Sequence, residues 1–208
     1  MIRFWNAFAK ITGWPVQFLC FRTKVHYEDR ARQSRRINGP AIIISNHTAV
    51  YDYVVYMFVF FRRTLRFQMA EVLFRKKLLG PLLRRLGGIY VDRDARDMGF
   101  VADSERILAS GGVVGIFPEG RIPRPGETRP LPFAASAAFL ALSSGAPVIP
   151  VYTHGSYFTR RRAHVMIGVP FYAADLAPAG CGEKETIARV SEAMRRRIIE
   201  LGNELDGK

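Results

Sequence analysis

The stretch Ile42-Ile43-Ile44-Ser45-Asn46-His47-Thr48-Ala49-Val50-Tyr51-Asp52 decides the fold. Three consecutive isoleucines leave no polar side, so the strand they form must be covered on both faces. Polar residues follow, and then an apolar run over residues 51–62 that is long enough for a helix. A buried strand that passes through a turn into a helix is the unit of a parallel sheet with crossover helices.

Outward from this unit the pattern repeats. Short apolar, β-branched runs lie at residues 41–45, 65–70, 89–91, 113–117, 148–153 and 164–169, with helix-like segments at 51–62, 72–86, 97–110 and 133–142. Over residues 183–204, Ile187, Val190, Met194, Ile198, Leu201 and Leu205 recur at spacings of three and four, which predicts an amphipathic helix. Residues 130–159 hold no Asp, Glu, Lys or Arg, yet Ser143, Ser144, Gly145 and Pro147 divide them into a helix and a strand rather than one membrane span. The expected architecture is α/β: one domain over residues 25–208 with a largely parallel sheet flanked by helices. An amphipathic two-helix hairpin over residues 1–24 precedes it.

That hairpin is read from Met1, Phe4, Trp5, Phe8 and Ile11 on one helical face and Arg3, Asn6 and Lys10 on another. Gly13-Trp14-Pro15 then predicts a turn into a second apolar stretch, residues 16–21, followed by Arg22 and Lys24. Trp5, Phe8, Trp14 and Phe18 beside cations suit a helix lying in the headgroup layer of an anionic membrane. A helix covering its own core has the same pattern, and that reading stays open here.

With 208 residues, 49% of them hydrophobic and 24% charged, the chain builds a core and is not disordered. Lysine plus arginine number 31 against 18 acidic residues, a net charge of +13 that calls for a polyanionic partner. A nucleic acid is not expected: Arg35-Arg36, Arg84-Arg85 and Arg160-Arg161-Arg162 are scattered, and no recognition motif accompanies them. Cys20 and Cys181 form neither a disulfide framework nor a metal site. No metal or bound cofactor is expected.

His47 lies just past a buried strand and Asp52 five residues on, where α/β proteins place their sites. A turn between them lets the carboxylate meet one imidazole nitrogen while the other takes a proton from a hydroxyl. The pair alone is also the pattern of a surface histidine beside a helix-capping aspartate. Two further blocks fall at strand exits. Gly88-Ile89-Tyr90-Val91-Asp92-Arg93 ends in an arginine suited to phosphate, and Phe117-Pro118-Glu119-Gly120-Arg121 follows the run 113–117. In a parallel sheet His47, Arg93, Glu119 and Arg121 converge on one crevice. Salt bridges within either block are the alternative. No Gly-x-Ser-x-Gly elbow is present, and Gly111-Gly112-Val113-Val114-Gly115 is not a phosphate-binding loop.

Taken together these blocks resemble the glycerolipid acyltransferase family, in particular its bacterial 1-acyl-glycerol-3-phosphate acyltransferases. The family's His-x4-Asp motif matches Asn46-His47-Thr48-Ala49-Val50-Tyr51-Asp52, and the later blocks match those ending at Arg93 and Arg121 and the strand Val148-Ile149-Pro150-Val151. The resemblance implies a glycerol-3-phosphate acyltransferase-like fold, with His47 as general base and Asp52 as its partner. It also implies that Asn46, Arg93, Glu119, Gly120 and Arg121 bind substrate. The implied reaction moves an acyl group from acyl-coenzyme A or acyl carrier protein to the sn-2 hydroxyl of lysophosphatidic acid, giving phosphatidic acid; the alternatives are an acyltransferase for a different lysophospholipid or a non-catalytic lipid-binding protein on the same fold. The implied setting is the cytoplasmic face of a bacterial membrane, with peripheral attachment. The chain departs from the family in two places. No hydroxyl residue separates Gly120 from Arg121, and Phe133-Ala134-Ala135-Ser136 stands where Phe-Lys-x-Gly is common.

Overall fold

The computed structural model describes residues 1–92, 98–155, 157–158 and 162–207. Among them the chain forms α1 (Ile2–Val16), a π-helical turn (Gln17–Phe21), β1 (Lys24–Tyr27), β2 (Ala41–Ser45), α2 (Asp52–Val59), β3 (Leu65–Ala70), α3 (Glu71–Phe74) and α4 (Leu79–Leu86). There follow β4 (Ile89–Val91), α5 (Gly99–Ala109), β5 (Val113–Ile116), α6 (Ala135–Ser144), β6 (Val148–Thr153), β7 (His164–Ile167), a 3-10 turn (Ala173–Leu176) and α7 (Glu183–Asp206). The strands form one sheet in the order β1-β7-β6-β2-β5-β3-β4. From β6 to β4 all neighbours are parallel. β7 runs antiparallel to β6 and carries β1 parallel to itself at the edge.

The isoleucines of β2 explain the layering. Ile43 packs with Val55, Phe58 and Leu83 on the face covered by α1, α2 and α4. Ile42 and Ile44 pack with Leu108, Leu140, Val190 and Ile198 on the face covered by α5, α6 and α7. Each of the three isoleucines is 0% exposed, as two-sided burial requires. Because the central strands are parallel, the segments leaving β2, β5 and β6 emerge at one edge of the sheet.

Two expectations about helices change. Residues 72–86 are not one helix: α3 stops at Phe74 and α4 starts at Leu79. Pro81 has no N–H for the carbonyl four residues earlier, which breaks a continuous helix. Gly80 meets the backbone of Phe74 so closely that a Cβ would lie 2.1 Å from its oxygen. At the N-terminus, Gly13-Trp14-Pro15 does not turn the chain. α1 runs through Pro15 into the π-helical turn, so the expected hairpin is one helical segment. Gly13 marks a close helix crossing instead: a Cβ there would stand 3.0 Å from the Phe58 ring of α2.

The faces of α1 are inverted relative to a helix that covers its own core. Asn6 and Lys10 are buried, at 1% and 4% exposure, whereas Phe4, Phe8, Ile11, Trp14, Phe18 and Leu19 are all more than half exposed. Asn6 donates to the Leu86 carbonyl at 2.7 Å, and the Lys10 ammonium donates to the carbonyls of Phe61 at 2.8 Å and Arg63 at 2.7 Å, just beyond the end of α2. Burial lowers the Lys10 pKa to about 8. Trp5 is the exception among the aromatic residues: it is half-buried against the core, with the Arg85 guanidinium 5.1 Å from its ring. No helix among the described residues is long and apolar enough to cross a membrane.

Candidate active site

The site is built around a buried carboxylate. Asp52 opens α2 and is 0% exposed. Its Oδ2 accepts from the backbone N–H groups of Thr48 at 2.6 Å and Ala49 at 3.0 Å, and its Oδ1 from the hydroxyls of Thr48 at 2.8 Å and Tyr157 at 2.5 Å. A group ringed by donors acts as an acceptor, so the remaining contact, His47 Nδ1 to Oδ2 at 2.8 Å, has the imidazole donating from Nδ1. Nε2 is then the basic nitrogen, and it makes no hydrogen bond among the described residues. The imidazole stacks on Phe117, with ring centroids 4.2 Å apart and planes 12° from parallel, so its plane is held by packing as well as by Asp52. The His47 side chain keeps 19% exposure at the sheet edge.

The surrounding polar residues hold the loop that presents His47. Glu119, past the end of β5, accepts the backbone N–H of His47 and that of Leu131, each at 2.7 Å. Burial raises its carboxyl above the ordinary range, against the opposing pull of those two donors, His47 and Arg129. Asn46 closes a reciprocal pair with Thr153 of β6, donating to its carbonyl at 2.8 Å and accepting its N–H at 2.9 Å. Gly155, with a φ of +68°, lets the chain after β6 lie on Thr48, where a Cβ would come within 2.1 Å of the hydroxyl. Burial, and then the charge of Asp52, push the Tyr157 phenol far above its usual range, so that hydroxyl remains a donor.

His47 and Asp52 therefore meet as the spacing anticipates, and Glu119 joins them. Asn46 and Glu119, expected to bind substrate, have their polar atoms engaged in bracing the backbone, and both are buried. Arg121, also expected to bind substrate, is paired within its own loop. Gly120 turns the chain at a φ of +69°, and the Arg121 guanidinium makes a bidentate pair with Glu127 at 2.6 and 2.8 Å on the exposed side of the loop. Arg93 lies outside the described residues. Thr48 and Tyr157 were not singled out from sequence. Thr48 sits inside the quoted motif, but Tyr157 is 105 residues from Asp52, and no local spacing links the two. No cluster of three or more His, Cys, Asp or Glu residues suited to a metal occurs among the described residues.

Set against known proteins, residues 22–154 match the model of the family described as Acyltransferase. The chain is 28% identical over 170 residues to the 1-acyl-sn-glycerol-3-phosphate acyltransferase of Bacillus subtilis (strain 168), covering 79% of this chain and 82% of that one. It is 31% identical over 147 residues to human 1-acyl-sn-glycerol-3-phosphate acyltransferase beta, covering 68% of this chain and 51% of that one. Among solved structures it is similar in fold to the 1-acyl-sn-glycerophosphate (LPA) acyltransferase of Thermotoga maritima. That match has a TM-score of 0.65 and 21% identity, over 97% of this chain and 79% of that one.

Proposed function

The chain belongs to the Acyltransferase family, and from that premise we propose that it transfers an acyl group from a thioester to the sn-2 hydroxyl of 1-acyl-glycerol-3-phosphate, giving phosphatidic acid. The observation that carries the reading is the His47–Asp52 pair, with Nε2 unpartnered among the described residues and aligned by Phe117. A substrate that brings its own hydroxyl needs a base and no protein nucleophile. His47 Nε2 takes the hydroxyl proton as the oxygen attacks the thioester carbonyl. The imidazolium that forms is stabilised by Asp52. When the tetrahedral intermediate collapses, the C–S bond breaks and the proton on Nε2 passes to the departing thiolate. The names of the Bacillus and human relatives support lysophosphatidic acid as acceptor. The donor is acyl-coenzyme A or acyl carrier protein.

Two further parts of the reading concern placement. Arg93 would hold the acceptor phosphate, and Arg129, which acts electrostatically on Glu119, is a second cation near the site. The exposed aromatic side of α1 and of the π-helical turn after it, carrying Phe8, Trp14 and Phe18, docks on an anionic bilayer as a peripheral attachment at the cytoplasmic face. The burial of Asn6 and Lys10 opposite it supports this, since a helix seated on its own core would turn the other way. The test is purified protein supplied with lysophosphatidic acid or another lysophospholipid and with acyl donors on coenzyme A or carrier protein, the products being identified by mass spectrometry. Phosphatidic acid formed from lysophosphatidic acid supports the reading. Product only from another lysolipid, or none with either donor, refutes it.

A further inference from the structure

A further exposed apolar surface lies at the corner between α3 and α4. Leu78, the residue before α4, is 86% exposed, and Leu82 one turn on is 42% exposed. Leu78, Pro81, Leu82 and Arg85 recur at spacings of three and four and share the outer side of α4, while Gly80, Leu83 and Leu86 face the core. Residues 72–91 contain Arg75, Lys76, Lys77, Arg84 and Arg85 and no Asp or Glu. None of these five cations forms an ion pair with a described residue. Arg84 lies over the Phe74 ring at 5.4 Å and Arg85 over Trp5 at 5.1 Å.

This corner adjoins α1. Trp5 lies beneath Arg85 and meets Phe4 and Phe8 edge-on, with centroids 5.8 and 6.0 Å apart, and Asn6 bonds the last carbonyl of α4. Exposed apolar surface thus continues from Phe8 and Phe4 past the Trp5–Arg85 contact to Leu82 and Leu78. On the opposite layer, the described residues of α5, α6 and α7 expose no large hydrophobic side chain.

We infer that the α3–α4 corner is a second lipid-facing element, inserting Leu78 and Leu82 at the surface of an anionic bilayer while Arg75, Lys76 and Lys77 meet the phosphates. The inference rests on the docking of α1 proposed above and extends it from one helix to one face of the molecule. Charge selects this occupant over a second copy of the chain, because a two-fold dimer through the corner would set five cations against five. An anionic surface matches both the leucines and their basic surround.

The experiment uses the full chain and vesicles of phosphatidylcholine with or without phosphatidylglycerol, measuring sedimentation with the vesicles and activity on detergent-dispersed lysophosphatidic acid. Leu78→Asp should lower partitioning about tenfold or more. Lys76→Gln with Lys77→Gln should lower it roughly 30-fold on the anionic vesicles and hardly at all on neutral ones. Both variants should keep activity on dispersed substrate. Phe4→Asp with Phe8→Asp tests α1 separately. If that variant detaches while the α3–α4 variants bind like wild type, the corner is not lipid-facing and the α1 reading stands; if α1 variants also bind normally, both fail. Hydrogen exchange of the wild-type chain gives a readout independent of any variant's folding. Residues 75–82 should exchange more slowly with anionic vesicles, and unchanged exchange there beside a slowed α1 overturns the inference. Self-association through this face without lipid, abolished by Leu78→Asp, also overturns it.

Discussion

Replacing Asp52 by asparagine separates the charge of this residue from its geometry, and the structure dictates how the amide must sit. The Oδ2 position faces three donors, the N–H groups of Thr48 and Ala49 and His47 Nδ1, whereas Oδ1 faces the hydroxyls of Thr48 and Tyr157. Backbone N–H groups cannot accept, but hydroxyls can rotate and do so. The amide oxygen therefore takes the Oδ2 place and the NH2 donates to a hydroxyl. His47 keeps its acceptor and its tautomer, and only the negative charge opposite the developing imidazolium is lost. A hydrogen bond to a charged partner is worth about 1.5–3 kcal/mol against about 1 for a neutral one. The expected loss in kcat is accordingly about 2- to 30-fold, from the difference of about 0.5–2 kcal/mol, in a protein that unfolds as a single transition like wild type. Stopped-flow detection of the released thiol, with thermal unfolding in parallel, measures both. A loss of 10,000-fold or more in a folded variant would mean that the tautomer is not set by this ring of donors. An unchanged kcat would mean that Asp52 is a structural cap.

His47→Ala should abolish transfer with the fold intact, and substantial turnover by the folded variant would remove the general-base assignment. Tyr157→Phe deletes one bond to a buried carboxylate and should lower kcat about 10-fold with both KM values unchanged, whereas a rise in KM alone would show that Tyr157 touches substrate instead. Arg121→Ala should leave KM for lysophosphatidic acid near wild type, since Glu127 already occupies the guanidinium; a selective rise would restore Arg121 to the phosphate site. Glu127 itself is lowered to about 2 by Arg121 and the Arg124 N–H. Its contribution is present above the ordinary carboxylate range and fades as the pH falls through about 2, so a loop that loosens near neutral pH by hydrogen exchange would contradict the pairing. Arg93→Ala should raise KM for the acceptor more than for the donor, and an equal rise for both would mark a structural ion pair.

What could be read from sequence follows the range of the physical signal. The bounds of β2 and β6 follow from apolar runs, because two-sided burial leaves its mark within a few residues, and those of β3 and β4 from short stretches whose apolar residues alternate with half-buried or exposed ones. His47 and Asp52 were found because strand, turn and helix lie within one short stretch. The work of Glu119 and Asn46 was not legible: whether a carboxylate binds substrate or a backbone N–H depends on which loop lies beside it, and their partners are 72 and 107 residues away. Periodicity gave both faces of α1 but not which one turns inward. That is decided by the carbonyls of Leu86, Phe61 and Arg63, which need donors and find them in Asn6 and Lys10.

The same contacts determine how the proposed docking of α1 can be examined. Phe21, at the end of the π-helical turn, packs edge-on against Tyr157 at 5.5 Å, and its ring lies 6.2 Å from that of Tyr51. The carbonyls of Cys20 and Phe21 accept from Phe158 and Ala163. The N-terminal segment thus helps seat the tyrosine that bonds the Asp52 carboxylate, besides donating two polar side chains to the core. Removing it would expose Tyr157, leave the Phe61 and Arg63 carbonyls without Lys10, and take away Phe21 from the apolar cluster. Loss of activity after truncation would therefore follow whether or not α1 touches lipid. Charge substitutions at the exposed Phe4 and Phe8 leave every one of those contacts in place, so among variants of this segment they, and not truncations, distinguish a helix that docks from one that merely completes the fold.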